Sequence, residues 1–219
     1  GAFGFRAPEH LQQAIAEHQP NIVVLCGPNN PTGTQLGNDV VKAAYDAFDG
    51  ILIVDEAYHE FDDETPSATT LLAGRPRLIV MRTMSKAFAF AGARVGYLAA
   101  DSAVVDAIRL VRLPYHLSAI TQAAATAAVR NAPTMLRMVD ELRAQRVRLA
   151  KELTDMGYDV HPSGSNFLWV GGFKGPAAAF EALLQQGILI RNLGIDGHLR
   201  LTVGTEAETD ALIEGIRKL

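Results

Sequence analysis

Residues 21–55 read NIVVLCGPNNPTGTQLGNDVVKAAYDAFDGILIVD, and this stretch decides the fold class. Asn21–Cys26 and Ile51–Asp55 are apolar almost throughout, the pattern of strands buried on both faces of a parallel sheet. Between them Gly37–Phe48 has helical spacing and follows a turn built from Pro28, Pro31 and Gly33. Strand, turn, helix and strand in that order make a βαβ unit in which each strand feeds a loop at its carboxyl end. Such loops form the ligand crevice of open α/β sheets, so polar residues just past Cys26, Val54 and Arg82 are candidates for function.

Outward from this unit, Pro8–His18 reads as a preceding helix, Leu78–Arg82 as a third strand and Arg94–Ala99 as a fourth. The pattern changes near Pro133. Over Pro133–Met156, Met135, Met138, Val139, Leu142, Leu149 and Leu153 fall on one helical stripe, while Arg143, Arg146, Arg148 and Lys151 read as a solvated face. Short strands are expected at Asn166–Val170, Ile188–Arg191 and His198–Val203, with helices at Pro176–Gln186 and Glu206–Lys218. The reading is an α/β domain over residues 1–131, with a mostly parallel sheet between helices, and a smaller α+β domain over 132–219.

Composition narrows the function classes. The chain has 219 residues, of which 48% are hydrophobic and 20% charged, enough to bury a core. Its net charge of −4 and the absence of any Lys/Arg run argue against nucleic-acid binding. No apolar run approaches the roughly 18 residues that span a bilayer, so no membrane partner is expected. One cysteine, Cys26, gives no disulfide framework, which fits the cytoplasm. The histidines lack metal-ligand spacing, so no metal is expected.

Three segments carry chemistry. Thr83-Met84-Ser85-Lys86, with Arg94 beyond it, offers two hydroxyls, an amine and a guanidinium. A lysine just after an apolar strand, in a mostly apolar setting, can lose its charge by desolvation and become a nucleophilic amine that forms a Schiff base. Thr83, Ser85 and Arg94 together complement a phosphate. Asp55 ends a buried strand, with the phenol of Tyr58 three residues on, and a carboxylate there needs a cationic partner. The same run would suit the magnesium-holding strand of a P-loop enzyme, but the chain has no G-x-x-x-x-G-K-[ST]. In Gly27–Gly33, turn chemistry explains the prolines and glycines, whereas the Asn30 amide is left to donate to a ligand across the strand ends.

The chain resembles the fold-type I aminotransferases that use pyridoxal 5'-phosphate (PLP), and among them the histidinol-phosphate aminotransferases. The matching segments are PNNPTG at 28–33, DEAYHEF at 55–61 and RTMSKAFAFAGARVGY at 82–97. RLPYHLSAITQAAA at 112–125, SNFLWV at 165–170 and LRLTVGT at 199–205 extend the likeness. The resemblance implies that Lys86 binds the cofactor aldehyde and then shuttles a proton, and that Asp55 keeps the pyridine nitrogen protonated. It further implies that Asn30 and Tyr58 bond the phenolic oxygen, and that Thr83, Ser85 and Arg94 bind the phosphate. Arg200 matches the arginine that clamps the substrate α-carboxylate, with Arg191 and Asn166 as further substrate-site candidates; for Asn166, capping a strand end is an equal alternative. The implied substrates are histidinol phosphate and the 2-oxoglutarate/glutamate pair, in a homodimer whose sites borrow residues from each other.

Family members carry, ahead of the segment matched here, a portion whose loop amides bind the phosphate and whose aromatic ring stacks on the pyridine. Neither feature is read upstream of Asn21, so the sheet is expected to be incomplete, with an apolar edge open to another chain. Other readings are an aromatic amino-acid aminotransferase, a phosphothreonine decarboxylase, or a non-catalytic fragment that needs a complementary chain.

Overall fold

The computed structural model describes residues 8–219. Helix α1 (Pro8–His18) leads into strand β1 (Ile22–Cys26), helix α2 (Asn38–Asp46), strand β2 (Ile51–Asp55), strand β3 (Leu78–Thr83) and strand β4 (Gly96–Ala100). The four strands form one sheet in chain order. β1, β2 and β3 are parallel, whereas β4 runs antiparallel to β3, with Thr83 opposite Gly96. The parallel sheet expected from the sequence therefore ends in an antiparallel strand. The chain reverses over residues 84–95, which hold one 3₁₀ turn (Ala91–Ala93) and Arg94 in the left-handed region (φ 55°).

The strands are also buried less evenly than their apolar runs suggest. Leu25, Leu52, Val54, Leu78 and Val80 form a core with Val41, Ala44 and Tyr45 of α2 and Ile15 of α1. On the opposite face Ile22, Val24 and Met81 remain 57%, 56% and 38% exposed. Both helices lie against one face, and helix α3 (Ser102–Val111), which follows β4, buries none of its residues.

Helix α4 (Ala119–Arg130) leads through Asn131 into α5 (Ala132–Asp155), a helix of 24 residues. Beyond it, strands β5 (Asp159–Val160), β6 (Phe167–Gly171) and β7 (Leu199–Thr202) form an antiparallel sheet, with α6 (Pro176–Leu184) and α7 (Glu206–Arg217). Leu149 and Leu153 of α5 pack with Leu168, Val170, Leu199 and Leu201 in that core. Val139, nearer the start of α5, packs with Tyr58, Phe61, Met84, Phe88 and Phe167. The strand expected at Ile188–Arg191 reduces to a single bridge, Arg191 to Arg200. An Asx-type turn follows at once, in which Asn192 Oδ1 accepts from Gly194 N (2.9 Å).

The basic residues of α5 were expected in water, but two of them are structural pins. Arg143 donates to the carbonyls of Glu60 (2.8 Å) and Phe61 (3.3 Å), and Arg146 to those of Phe61 (2.9 Å) and Ser165 (2.8 Å). The turn at 59–62 and the loop at 163–165 end in carbonyls that lack ladder partners, and these guanidiniums satisfy them. Burial lowers the Arg146 pKa, with Asp63 opposing that shift. Among the described residues, no helix is long and apolar enough to cross a membrane.

Candidate functional site

The carboxyl ends of β1, β2 and β3 meet the start of the small sheet along a seam. Gly33 (φ 75°), in the turn after β1, accepts a hydrogen bond from Gly164 N at 2.9 Å, and a Cβ at this position would run into Ser163. Glycine is thus required here both for its conformation and for its lack of volume. Gln35 Nε2 donates to Asp62 Oδ1 (2.7 Å) on the same seam.

Across this seam Arg200 of β7 reaches the turn, where its Nη1 donates to Asn30 Oδ1 at 2.6 Å. Its guanidinium lies over the Phe167 ring, 4.7 Å from the centroid. Phe167 meets Tyr58 edge-on at 5.2 Å, and Lys86 Nζ stands 5.2 Å from the centroid of the Tyr58 ring. Five residues from five separate segments thus form one continuous group. Burial lowers the Arg200 pKa, with Tyr58 opposing and Arg191 reinforcing that shift. Arg200 Nε is buried without a hydrogen-bond partner. A cation in this state is an incomplete one, and an anion within reach would satisfy it.

Asp55 ends β2 level with Cys26 and Met81. Its Oδ1 accepts from Ala57 N at 3.0 Å. Burial raises the Cys26 thiol pKa and the charge of Asp55 raises it further, which disfavours the thiolate. Thr83 Oγ1 accepts from Ser85 N (3.1 Å) and donates to Ser85 Oγ (2.9 Å). Met84 N donates to Val95 O (3.1 Å), which ties the lysine segment to the neighbour of Arg94. Arg94 is exposed, and its Nη1 donates to Ala91 O at 3.2 Å.

One expectation for this segment is overturned. Lys86 was read in a mostly apolar setting, but it is exposed, while Met84, Ala87 and Phe88 around it are buried. The three apolar neighbours anchor the segment and turn the amine outward. Arg191 is likewise exposed and meets Arg200 through the main chain, N to O at 3.0 Å and O to N at 2.9 Å. Asn166 is half-buried, and its carbonyl accepts from Val203 N at 2.9 Å. The strand-end tie is made by its backbone.

Sequence reasoning missed a buried ion group behind these residues. Glu56, 3% exposed, takes hydrogen bonds from Ala68 N (2.6 Å), Ser67 Oγ (2.8 Å) and Arg82 Nε (2.8 Å). Arg82 also donates through Nη1 to Glu60 Oε1 at 3.0 Å and through Nη2 to Ser67 Oγ at 3.0 Å. Burial works to lower the Arg82 pKa, but Glu56 and Glu60 outweigh it and the net shift is upward. The available signal was a charged residue at the end of each apolar run, Glu56 after ILIVD and Arg82 after LIVM. Arg82 is thus the partner of Glu56 and Glu60 and not of Asp55.

The family model described as aminotransferase class I and II matches residues 7–216. The histidinol-phosphate aminotransferase of Paenarthrobacter aurescens (strain TC1) is 56% identical over 209 residues, covering 94% of this chain and 56% of that protein. That of Rhodococcus opacus (strain B4) is 54% identical, covering 91% of this chain and 53% of that protein. The chain therefore spans about half the length of the curated relatives it matches. Among solved structures, the histidinol-phosphate aminotransferase from Sinorhizobium meliloti in complex with pyridoxal-5'-phosphate superposes with a TM-score of 0.85 at 30% identity. That match covers 97% of this chain and 62% of the other.

Proposed function

The chain belongs to the class I and II aminotransferases, and from that membership we propose that it serves PLP-dependent transamination of histidinol phosphate, with 2-oxoglutarate and glutamate as the exchanging pair. Relatives at 54–56% identity support the substrate, and a solved relative with bound cofactor supports PLP. The observation that carries the reading is the continuous group from Lys86 through Tyr58 and Phe167 to Arg200 and Asn30.

The donor set fits this cofactor. An exposed amine, a carboxylate with one oxygen engaged by Ala57 N, two hydroxyls and an exposed guanidinium match an aldehyde, a pyridine nitrogen and a phosphate respectively. When bound, PLP supplies the aldehyde that takes up amines and a ring that withdraws electrons from the bond to be broken. Lys86 would hold the cofactor through its aldehyde carbon and would move a proton to and from the substrate α-carbon. Asp55 would keep the ring nitrogen protonated. Asn30, whose Oδ1 is engaged by Arg200, keeps Nδ2 as its donor and with Tyr58 would bond the ring hydroxyl. Thr83, Ser85 and Arg94 would hold the phosphate, and Arg200 would pair with the substrate carboxylate, with Arg191 and Asn166 beside it.

The decisive experiment is to reduce a mixture of the chain and PLP with borohydride and map the product by peptide mass, then to compare substrates. A pyridoxyl group on Lys86 is expected, with kcat/KM for histidinol phosphate about tenfold or more above that for phenylalanine. Labelling at other lysines only, or a preference for phenylalanine, would overturn the reading.

A cytoplasmic homodimer completes the proposal. It is supported by the apolar surface of Leu110, Val111, Leu113, Tyr115 and Ile120, which are 76–98% exposed across α3, α4 and the loop between them. Leu113→Glu with Ile120→Glu is expected to halve the sedimenting mass, and a variant as heavy as the unmodified chain would sink the dimer surface.

A further inference from the structure

Glu56 and Arg82 flank the two segments assigned above, for Glu56 directly follows Asp55 and Arg82 directly precedes Thr83. Glu60 lies two residues past Tyr58. These three charged side chains are among the most buried in the molecule, at 4%, 16% and 10% exposure for Glu56, Arg82 and Glu60. Two carboxylates share one guanidinium, and Glu60 Oε2 is buried without a hydrogen-bond partner.

As a source of stability this is a poor arrangement. Removing three charges from water costs several kcal/mol per ion by general experience, and apolar side chains of similar volume commonly do as well. What the group does supply is geometry. The planar fork of Arg82 uses all three nitrogens, on Glu56, Glu60 and Ser67, which fixes β3 against the turn after β2 in one register. The main chain holds the same register through Glu56 N to Met81 O at 2.9 Å. Beyond this lock the two segments meet through the apolar packing of Tyr58 and Phe61 with Met84 and Phe88, and the Lys86 amine faces the Tyr58 ring at 5.2 Å.

We propose that Arg82, held by Glu56 and Glu60, is a positioning residue that sets where Asp55 and Tyr58 stand relative to Lys86. The inference rests on the cofactor reading given above and deepens it. Arg82 touches none of the groups assigned to substrate or cofactor, so it acts through the segments it joins.

Two measurements on Arg82→Met and Arg82→Lys test it. The first is amide hydrogen exchange over residues 57–61 and 83–87 without cofactor. The second is the PLP concentration that gives half-maximal borohydride labelling of Lys86. In Arg82→Met, exchange in both segments is expected to quicken about tenfold while the sheet of β5, β6 and β7 is unchanged. The half-labelling concentration is expected to rise about tenfold or more. Arg82→Lys keeps the charge without the fork and is expected to fall between the two. If Arg82→Met does not fold, the lysine variant decides by the same measures. A folded variant with unchanged exchange and unchanged labelling overturns the inference alone. An unmodified chain that takes no label on Lys86 overturns the cofactor reading and this inference with it.

Discussion

Lys86→Ala is expected to lose the pyridoxyl adduct altogether and to slow amino transfer by about 10⁴-fold, the upper range for a group that acts as acid and base. The substitution separates chemistry from folding unusually well. Lys86 is exposed and its segment is anchored by buried Met84, Ala87 and Phe88, so the change in stability is expected within about 0.5 kcal/mol. Circular dichroism and urea unfolding should match the unmodified chain. Cofactor would still be held through Thr83, Ser85 and Arg94, and equilibrium dialysis should find it bound. A variant that keeps more than a tenth of the transfer rate would remove Lys86 from the chemistry.

Asp55→Asn keeps the shape of the side chain and the acceptor for Ala57 N, now 3.0 Å from Oδ1, but removes the negative charge. Transfer is expected to fall by about 10²-fold or more while the adduct on Lys86 still forms, because the charge acts on the ring nitrogen and not on the aldehyde. A second readout needs no cofactor. The Asp55 charge helps to raise the Cys26 pKa, after burial, so Asp55→Asn should lower it and quicken alkylation of Cys26 at neutral pH. Unchanged transfer with quickened alkylation would show that the charge was removed and does not serve the reaction.

Local sequence logic carried most of this fold. Pro8–His18 forms as read, and β1, β2 and β3 fall within a residue of their apolar runs. What it missed depends on neighbours distant in the chain. An apolar run such as IVVLC states that a strand wants burial, but whether both faces are covered depends on where α1, α2 and α3 pack. Arg94–Ala99 reads as a strand, yet its direction is set by its pairing with β3 and not by its own residues. The basic stripe of α5 looks solvated until the carbonyls of Glu60, Phe61 and Ser165 lie beside it. The site behaves alike. Its residues were legible from their types and spacing, whereas the hydrogen bond from Arg200 to Asn30 spans 170 positions and no periodicity encodes it. The exposure of Lys86 was equally invisible, since apolar neighbours in sequence can bury a side chain or, as here, turn it outward.

Helix α5 holds Val139 among the residues around Tyr58 and holds Leu149 and Leu153 among those of the small sheet. Neither core is complete without it, and melting one strips the helix of part of what stabilises it in the other. The two cores are therefore expected to unfold cooperatively, with Trp169 fluorescence and backbone circular dichroism changing at one urea concentration. The unit of cooperativity is thus expected to run through Ala132, where α5 begins.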